Sequence, residues 1–557
     1  WCDSREIWIS QRKILPMRTI EVQYGYENRA KGGRNMPVRL GIDNRADAAM
    51  EGSVEFLFRQ PDGELYAYAY PLRLTAGETY SASYVVPLSV GADAFWVRLR
   101  DSEGKLSETK RVELTQSGGE PELFIGLLSD SPEALAYLNG VSVNYGQMKT
   151  RTFALSERDF PEDRRQLDAF DVVVISNYQV SKLSVRQVRA LMQWMRNGGV
   201  LLFGTGERVN DTLGVFAPEF LDDMYEQPTV QELSLAATDG LSVQTPGTED
   251  EAEAPVALPY VHISLHGGSE VVSAGERPLI TAANKGSGVL AVSSIDLTAL
   301  HDYASAHTQY TDQLLTRLLG SARLERLASE AQSVRYGEEW SAETLVDNGA
   351  ATLLPNLLGY GALLFFYLLL VGPALYAVLR HFRSERIYRR AAIAVTVFFA
   401  GLTWLFSAGS RFRSPFYSYA SIQEAGEDVL SETVYVNLRN PRHRSYRLAL
   451  EAGSEIVPLA TAKQTAANSG VSGEEEADLT VSERGTEREL AVRNPAAFSA
   501  KLLRMEKSTA NEQSFGFSGD LSLFGDRVSG TVTNRYPYAV NNAFLLFYGK
   551  EIGRAHV

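Results

Sequence analysis

The chain has 557 residues, room for several domains of about 100–200 residues each, and a formal net charge of −14. That acidity, with no long Lys/Arg run outside one short turn, argues against nucleic acid as a partner. Cys2 is the single cysteine, which excludes an intrachain disulfide, a CxxC redox pair and a cysteine zinc cluster.

Residues 1–16, WCDSREIWISQRKILP, contain no apolar run of a signal peptide, so a truncated start is expected. Residues 17–117 alternate with period two. Val54, Phe56 and Phe58 share a strand face, as do Tyr80, Ala82, Tyr84 and Val86, and then Phe95, Val97 and Leu99. Turn signals at Pro61-Asp62-Gly63, Ala76-Gly77 and Ser102-Glu103-Gly104 separate them, and the pattern predicts a β-sandwich. Gln116–Pro121 reads as a linker.

The period changes over residues 121–330. ELFIGLLSD is a continuous apolar run, as for a parallel strand buried on both faces. Ser131-Pro132-Glu133 opens a helix, with Ser131 as its cap. Strands DVVVISN and GVLLFGTG flank an amphipathic helix from Ser184 to Trp194, with Val185, Val188, Leu191 and Met192 inward. Residues 213–286 look more β-rich, with the acidic TEDEAEA as a solvated loop. GVLAVSSIDL is a late strand, followed by a helix over Tyr303–Leu319. Alternating strands and helices predict an α/β doubly wound domain.

Two stretches, 353–379 and 391–410, contain no Asp, Glu, Lys, Arg or His. Each is long enough to cross the roughly 30 Å core of a bilayer. The turn between them, residues 380–390, holds Arg380, Arg383, Arg386, Arg389 and Arg390 against one Glu, which places it in the cytoplasm and both large flanking parts outside. With no ionisable group inside either span, neither is an ion or proton path. Residues 414–550 alternate again, predicting a second β-rich extracytoplasmic domain with a disordered insert at Ala466–Asp478. EIGRAHV, residues 551–557, matches a translated sequencing adapter and is expected to be an artefact.

Ligands of doubly wound folds bind beyond the carboxyl ends of the strands. Those positions are Ser129 and Asp130, Asn177 and Tyr178, Thr205 and Glu207, and Asp296, and they are the candidate ligand-binding residues. Gly204-Thr205-Gly206 occupies the place of a nucleophile elbow but carries neither Ser nor Cys, and it is not a GxGxxG run, so no catalytic residue and no cofactor is expected. His262 and His266 lie four strand residues apart, about 13 Å, too far for one metal ion. With His301 and His307 they read as structural or surface residues, and no metal site is expected.

LDAFDVVVISNYQVSKLSVRQVRALMQWMRNGGVLLFGTG resembles the class I glutamine amidotransferase-like (flavodoxin-like) domain of uncharacterised bacterial membrane proteins. VQYGYENRAKGGRNMPVRLGIDN, YLLLVGPALYAVLR and SAGSRFRSPF extend the resemblance over most of the chain. It implies an extracytoplasmic amidotransferase-like domain on a membrane anchor in the cell envelope. The catalytic Cys that such enzymes carry at the elbow is missing, and glutaminase chemistry needs that thiolate. The expected function is therefore a non-catalytic scaffold or sensor working with other envelope or membrane proteins. The alternatives are an envelope hydrolase using Ser129, Asp130 or Asp296, and an accessory subunit of a transporter.

Overall fold

The computed structural model describes residues 18–115, 121–235, 255–336, 344–346, 357–410 and 415–555, apart from breaks at 47, 61–62, 89–91, 383–384, 427–428, 451–452, 460–472, 485–486, 497–498, 525–526 and 548–549. The expected truncated start, most of the linker, the acidic 248–254 loop, the first residues of the 353–379 span, Arg383 and the larger part of the 466–478 insert lie outside these residues.

Seven strands build the first region: β1 (Arg18–Tyr24), β2 (Asn35–Asn44), β3 (Met50–Arg59), β4 (Leu65–Leu74), β5 (Thr79–Pro87), β6 (Ala94–Asp101) and β7 (Leu106–Glu113). One sheet has the order β1-β2-β5; the other contains β4-β3-β6-β7. Val54, Phe56, Phe58, Phe95, Val97 and Leu99 all point into one core with Val38 and Ile42. Strand β3 is buried on its other face too, because Leu57 packs with Trp96, Leu65 and Ala477.

Ala477 belongs to the last part of the chain, which the period-two pattern presents as a separate domain. Its strands are β18 (Phe416–Ala425), β19 (Val429–Arg439), β20 (Tyr446–Leu450), β21 (Glu455–Leu459), β22 (Leu479–Arg484), β23 (Glu487–Val492) and β24 (Ala500–Ala510). Strand β22 pairs in parallel with β4, Leu479 beside Tyr66 and Val481 beside Tyr68, so the second sheet runs β20-β23-β22-β4-β3-β6-β7. Leu438, Ile456, Leu479, Val481, Leu490, Val492 and Leu503 enter the same core as β3. Without β22, β4 would be an apolar sheet edge, and such edges are aggregation-prone. Residues 473–478 of the expected disordered insert are built in by hydrogen bonds and an ion pair. Arg98 donates to the Glu475 carbonyl, Arg100 pairs with Glu476 at 3.1 Å, and the Leu65 N–H donates to Asp478 at 2.9 Å.

Residues 121–336 form an eight-stranded mixed sheet. Strands β8 (Glu122–Leu128), β10 (Met148–Leu155), β11 (Val172–Ser176), β12 (Val200–Gly204) and β17 (Gly288–Ser293) are parallel, in the spatial order β10-β8-β11-β12-β17. Strand β16 (Arg277–Lys285) is antiparallel to β17 and carries β15 (Ser269–Ala274); β9 (Ser142–Val143) lies antiparallel on β10. A two-stranded sheet of β13 (Thr229–Leu233) and β14 (Val256–Tyr260) stands apart. Alternate residues of β8 feed two cores, Leu123, Ile125 and Leu127 on one face and Phe124 and Leu128 on the other.

Helix α1 (Val185–Arg196) covers the second face with Leu191, Met192, Trp194 and Met195. Ser184 and Gln187 close its amino end in a reciprocal capping box. Val185, expected inward, is exposed, since it is the first helical residue and precedes the covered part of the face. The late helix is divided at His307. After a short helix over His301–Ala306, α2 (Thr308–Leu319) and α3 (Ser321–Tyr336) cover the first face through Leu314, Leu315, Leu318 and Leu324.

Helix α4 (Leu357–Leu369) continues through a π-helical turn at Leu370–Ala374 into α5 (Leu375–His381). This unit, Leu358–His381, is long and apolar enough to cross a membrane, and none of it is buried in the protein. Helix α6 (Tyr388–Ser410) runs back along it, with Tyr367 bonded to Thr396 at 3.2 Å and its ring 5.5 Å from that of Phe399 at a tilted angle. Two hairpins, β25 (Phe517–Phe524) with β26 (Arg527–Asn534) and β27 (Ala543–Phe547) with β28 (Lys550–Ala555), complete the described chain.

Candidate functional site

Strand order reverses between β8 and β11: the chain leaves β8 for β10 on one side, then returns to β11 on the other. In open α/β sheets such a reversal is where the binding crevice lies, outside the carboxyl ends of the strands. Asp130 and Asn177 stand at that point. The Asp130 N–H donates to the Asn177 carbonyl at 3.0 Å, which ties the two loops together. Asn177 has φ +50°, a left-handed conformation that Asn tolerates better than other side chains. That turn aims its amide sideways, so that Nδ2 donates to Ser131 Oγ at 2.8 Å and Oδ1 accepts from Arg208 Nη1 at 2.6 Å. Ser131 therefore serves the crevice; its side chain makes no cap bond to the 3-10 turn Pro132–Leu138 that follows.

Arg208 gathers the cluster. Its Nη1 also donates to Asp130 at 3.1 Å, and its Nε to Asp211 at 3.1 Å. Lys182 holds the other Asp130 oxygen at 3.2 Å and lies 5.2 Å over the Tyr178 ring. Burial pulls the Asp130 carboxyl up, but bonds and charges from Arg208 and Lys182 outweigh it and leave it below the ordinary aspartate value. Tyr178 is buried, its hydroxyl meets no partner among the described residues, and burial pushes that hydroxyl up to about 12. Glu207 is exposed on the turn that carries Arg208, and Ser129 Oγ accepts the Ser131 N–H at 3.1 Å.

The remaining candidates lie deeper and are occupied. Thr205 is fully buried and donates to the Ser293 carbonyl at 2.6 Å. The glycines beside it are steric requirements. A Cβ at Gly204 would come within 2.1 Å of Ser176 Oγ, and Gly206 has φ +64° with the Asp296 N–H against it. Ser176 Oγ donates to Asp296 Oδ1 at 2.6 Å and accepts the Leu297 N–H, while Asp296 caps the next turn through the Thr298 N–H. Ser129, Asp130 and Asp296 thus go to different partners, and no histidine bonds to any of them among the described residues. His266 pairs with Asp222, His301 bonds the Ala134 carbonyl and His307 bonds the Tyr303 carbonyl. Among the described residues no group of three or more His, Cys, Asp or Glu could hold a metal ion.

The crevice brings together Asp130, Asn177 and Tyr178 and leaves the buried Thr205 and the half-buried Asp296 in a separate row. Reading strand ends for carboxylates and hydroxyls missed Lys182 and Arg208. Both sit in the loops that leave β11 and β12, so a search of those loops for cations would have found them.

Residues 18–115 match a domain-of-unknown-function family (DUF8726). No curated protein matches the chain. Among solved structures, it is similar to the cytoplasmic protein STM1381 from Salmonella typhimurium LT2, with 13% identity over 35% of this chain and 99% of that one, at a TM-score of 0.25. It is also similar to the exo-β-1,4-mannosidase Op5Man5 from Opitutaceae bacterium strain TAV5, with 14% identity over 36% of this chain, at a TM-score of 0.21; the match spans only 35% of the mannosidase. A cold-adapted β-galactosidase from Rahnella sp. R3 is similar at 8% identity, over 68% of this chain and 40% of that one, with a TM-score of 0.20.

Proposed function

We propose that this protein is a membrane-anchored, non-catalytic scaffold or sensor, and that its doubly wound, amidotransferase-like domain binds a partner protein or small polar ligand at the crevice between β8 and β11. The observation that carries this reading is the state of the elbow. Thr205 stands where a nucleophile would, with its hydroxyl fully buried and committed to the Ser293 carbonyl. A hydroxyl in that condition has neither access to substrate nor a base beside it. The crevice, by contrast, keeps half-exposed polar groups of both signs in Asp130, Lys182 and Arg208. The anchor is the pair α4–α5 and α6 joined by the arginine-rich turn, which favours a cytoplasmic turn and extracytoplasmic large domains.

A photo-crosslinking residue at Glu207, in the full chain in its native membrane, tests this reading. The expected result is a discrete adduct with another envelope protein or a small molecule, lost on Arg208→Ala. Recovery of the chain alone under every condition would sink the proposal.

A further inference from the structure

We infer that the groove between α5 and α6 at the arginine-rich end is a binding site for an anionic phospholipid. The inference rests on the reading that these helices span a bilayer. Pro373 has no N–H to give to the helix ladder, and the chain accommodates it with the π-helical turn Leu370–Ala374. The Leu375 N–H consequently reaches Leu370 O and Gly372 O, and the Val371 carbonyl accepts the Tyr388 hydroxyl of α6 at 2.9 Å. That bond ties the two helices together beside Gly372, Pro373, Tyr376, Leu379 and Tyr388, which line an open groove of about 880 Å³, its open side included. No heavy atom lies within 4 Å of where a Cβ on Gly372 would sit, so the groove floor is bare.

The mouth of this apolar groove is cationic. Arg380 follows Leu379, and Arg389 and Arg390 follow Tyr388; all three are exposed and form no ion pair among the described residues. Elsewhere this acidic chain pairs its arginines repeatedly, as Arg98 and Arg100 do with Glu55. An unpaired guanidinium fork matches a phosphate oxygen pair, and basic pockets between membrane helices take anionic headgroups. An apolar slot ending in the exposed Arg380, Arg389 and Arg390 fits one acyl chain and a charged phosphodiester together. A free phosphate would use only the arginines and leave the slot unfilled.

The test uses the full chain reconstituted in vesicles of phosphatidylcholine mixed with phosphatidylglycerol, then extracted gently and weighed with its retained lipid by native mass spectrometry. Phosphatidylglycerol should be retained in preference to phosphatidylcholine. Each of Arg380→Gln, Arg389→Gln and Arg390→Gln should lower that preference by about fivefold. Gly372→Leu, which fills the slot with no clash at its Cβ, should lower retention with all arginines intact. Excess inorganic phosphate should not displace the lipid; displacement would make free phosphate the ligand and overturn the inference. Equal retention of both lipids, or a preference that survives the triple arginine substitution, also overturns it. Release of the chain from the vesicles by alkaline carbonate would overturn the membrane reading itself, whereas an embedded chain without lipid preference overturns this inference alone.

Discussion

The two ends of the parallel sheet use the same chemistry to opposite purposes. At the amino ends, charged groups from three distant segments meet in a seam whose two central carboxylates, Asp171 and Glu455, are buried. Lys31 pairs with Asp171 and lies over the Phe124 ring, and Asp171 also accepts the Phe124 N–H at 2.8 Å. Asn35 donates its N–H to Asp168 and its side-chain amide to Glu455, which also takes Arg164 at 3.2 Å. At the carboxyl ends, Asp130, Lys182 and Arg208 form an equally connected cluster, but each remains about a third exposed. Burial decides the outcome. A buried pair that loses one partner leaves an uncompensated charge, whereas a half-exposed pair that loses one is repaired by water. The amino-end seam therefore holds the segments together, and the carboxyl-end cluster is free to exchange partners.

Asp171→Ala should produce the largest effect. It strands a buried ammonium and an amide at once, so a loss of about 3–5 kcal/mol in the urea unfolding of the detergent-solubilised chain is expected. A loss below 1 kcal/mol, the range of exposed pairs, would erase the contrast between the two ends.

Glu455 sharpens the same contrast through pH. Burial raises its carboxyl above the ordinary glutamate value, against the pull of Arg164 and Asn35. The folded state therefore holds its proton at a pH where the unfolded chain has released it. The stability this group contributes is full below the unfolded value of about 4.3 and falls as pH rises through the folded value. Glu455→Gln should flatten that part of the stability–pH curve; an unchanged slope would remove Glu455 from the account.

At the other end, Arg208→Ala should cost less than about 1 kcal/mol in the same unfolding measurement, because Asp130 keeps Lys182 and water. A cost above 3 kcal/mol would make the cluster structural, like the seam. Tyr178→Phe should have the smallest effect. It removes a buried hydroxyl that has no partner among the described residues, and stability should stay level or rise by up to about 1 kcal/mol. A clear loss in thermal unfolding would reveal a bond to that hydroxyl.

Much of the local structure was legible because periodicity and caps are local signals. The run ELFIGLLSD, the Ser184 cap, the apolar face of α1 and the paired Val54, Phe56 and Phe58 all lie where their spacing places them. Half of the crevice was legible as well, since Asp130 and Asn177 directly follow apolar strands. Lys182 and Arg208 were not, because a cation in a loop has no period, and its partner is chosen by strand order. The π-helical turn at Pro373 follows from a residue that cannot donate, whereas the Tyr388 bond that supports it is a tertiary fact.

By itself the sequence determined where many of the strands lie, which stretch is apolar enough to span a membrane, and that Gly204-Thr205-Gly206 holds neither Ser nor Cys. Those properties depend on residue type and spacing along a few turns of chain. Only the tertiary structure decided that residues 479–492 complete a sheet begun near residue 50, that Asp171 and Asp130 live in opposite surroundings, and that Arg208 joins two loops into a crevice. Alternating strands carry no address for a partner some 400 residues away, and a carboxylate takes its character from the burial and charges that the fold puts around it.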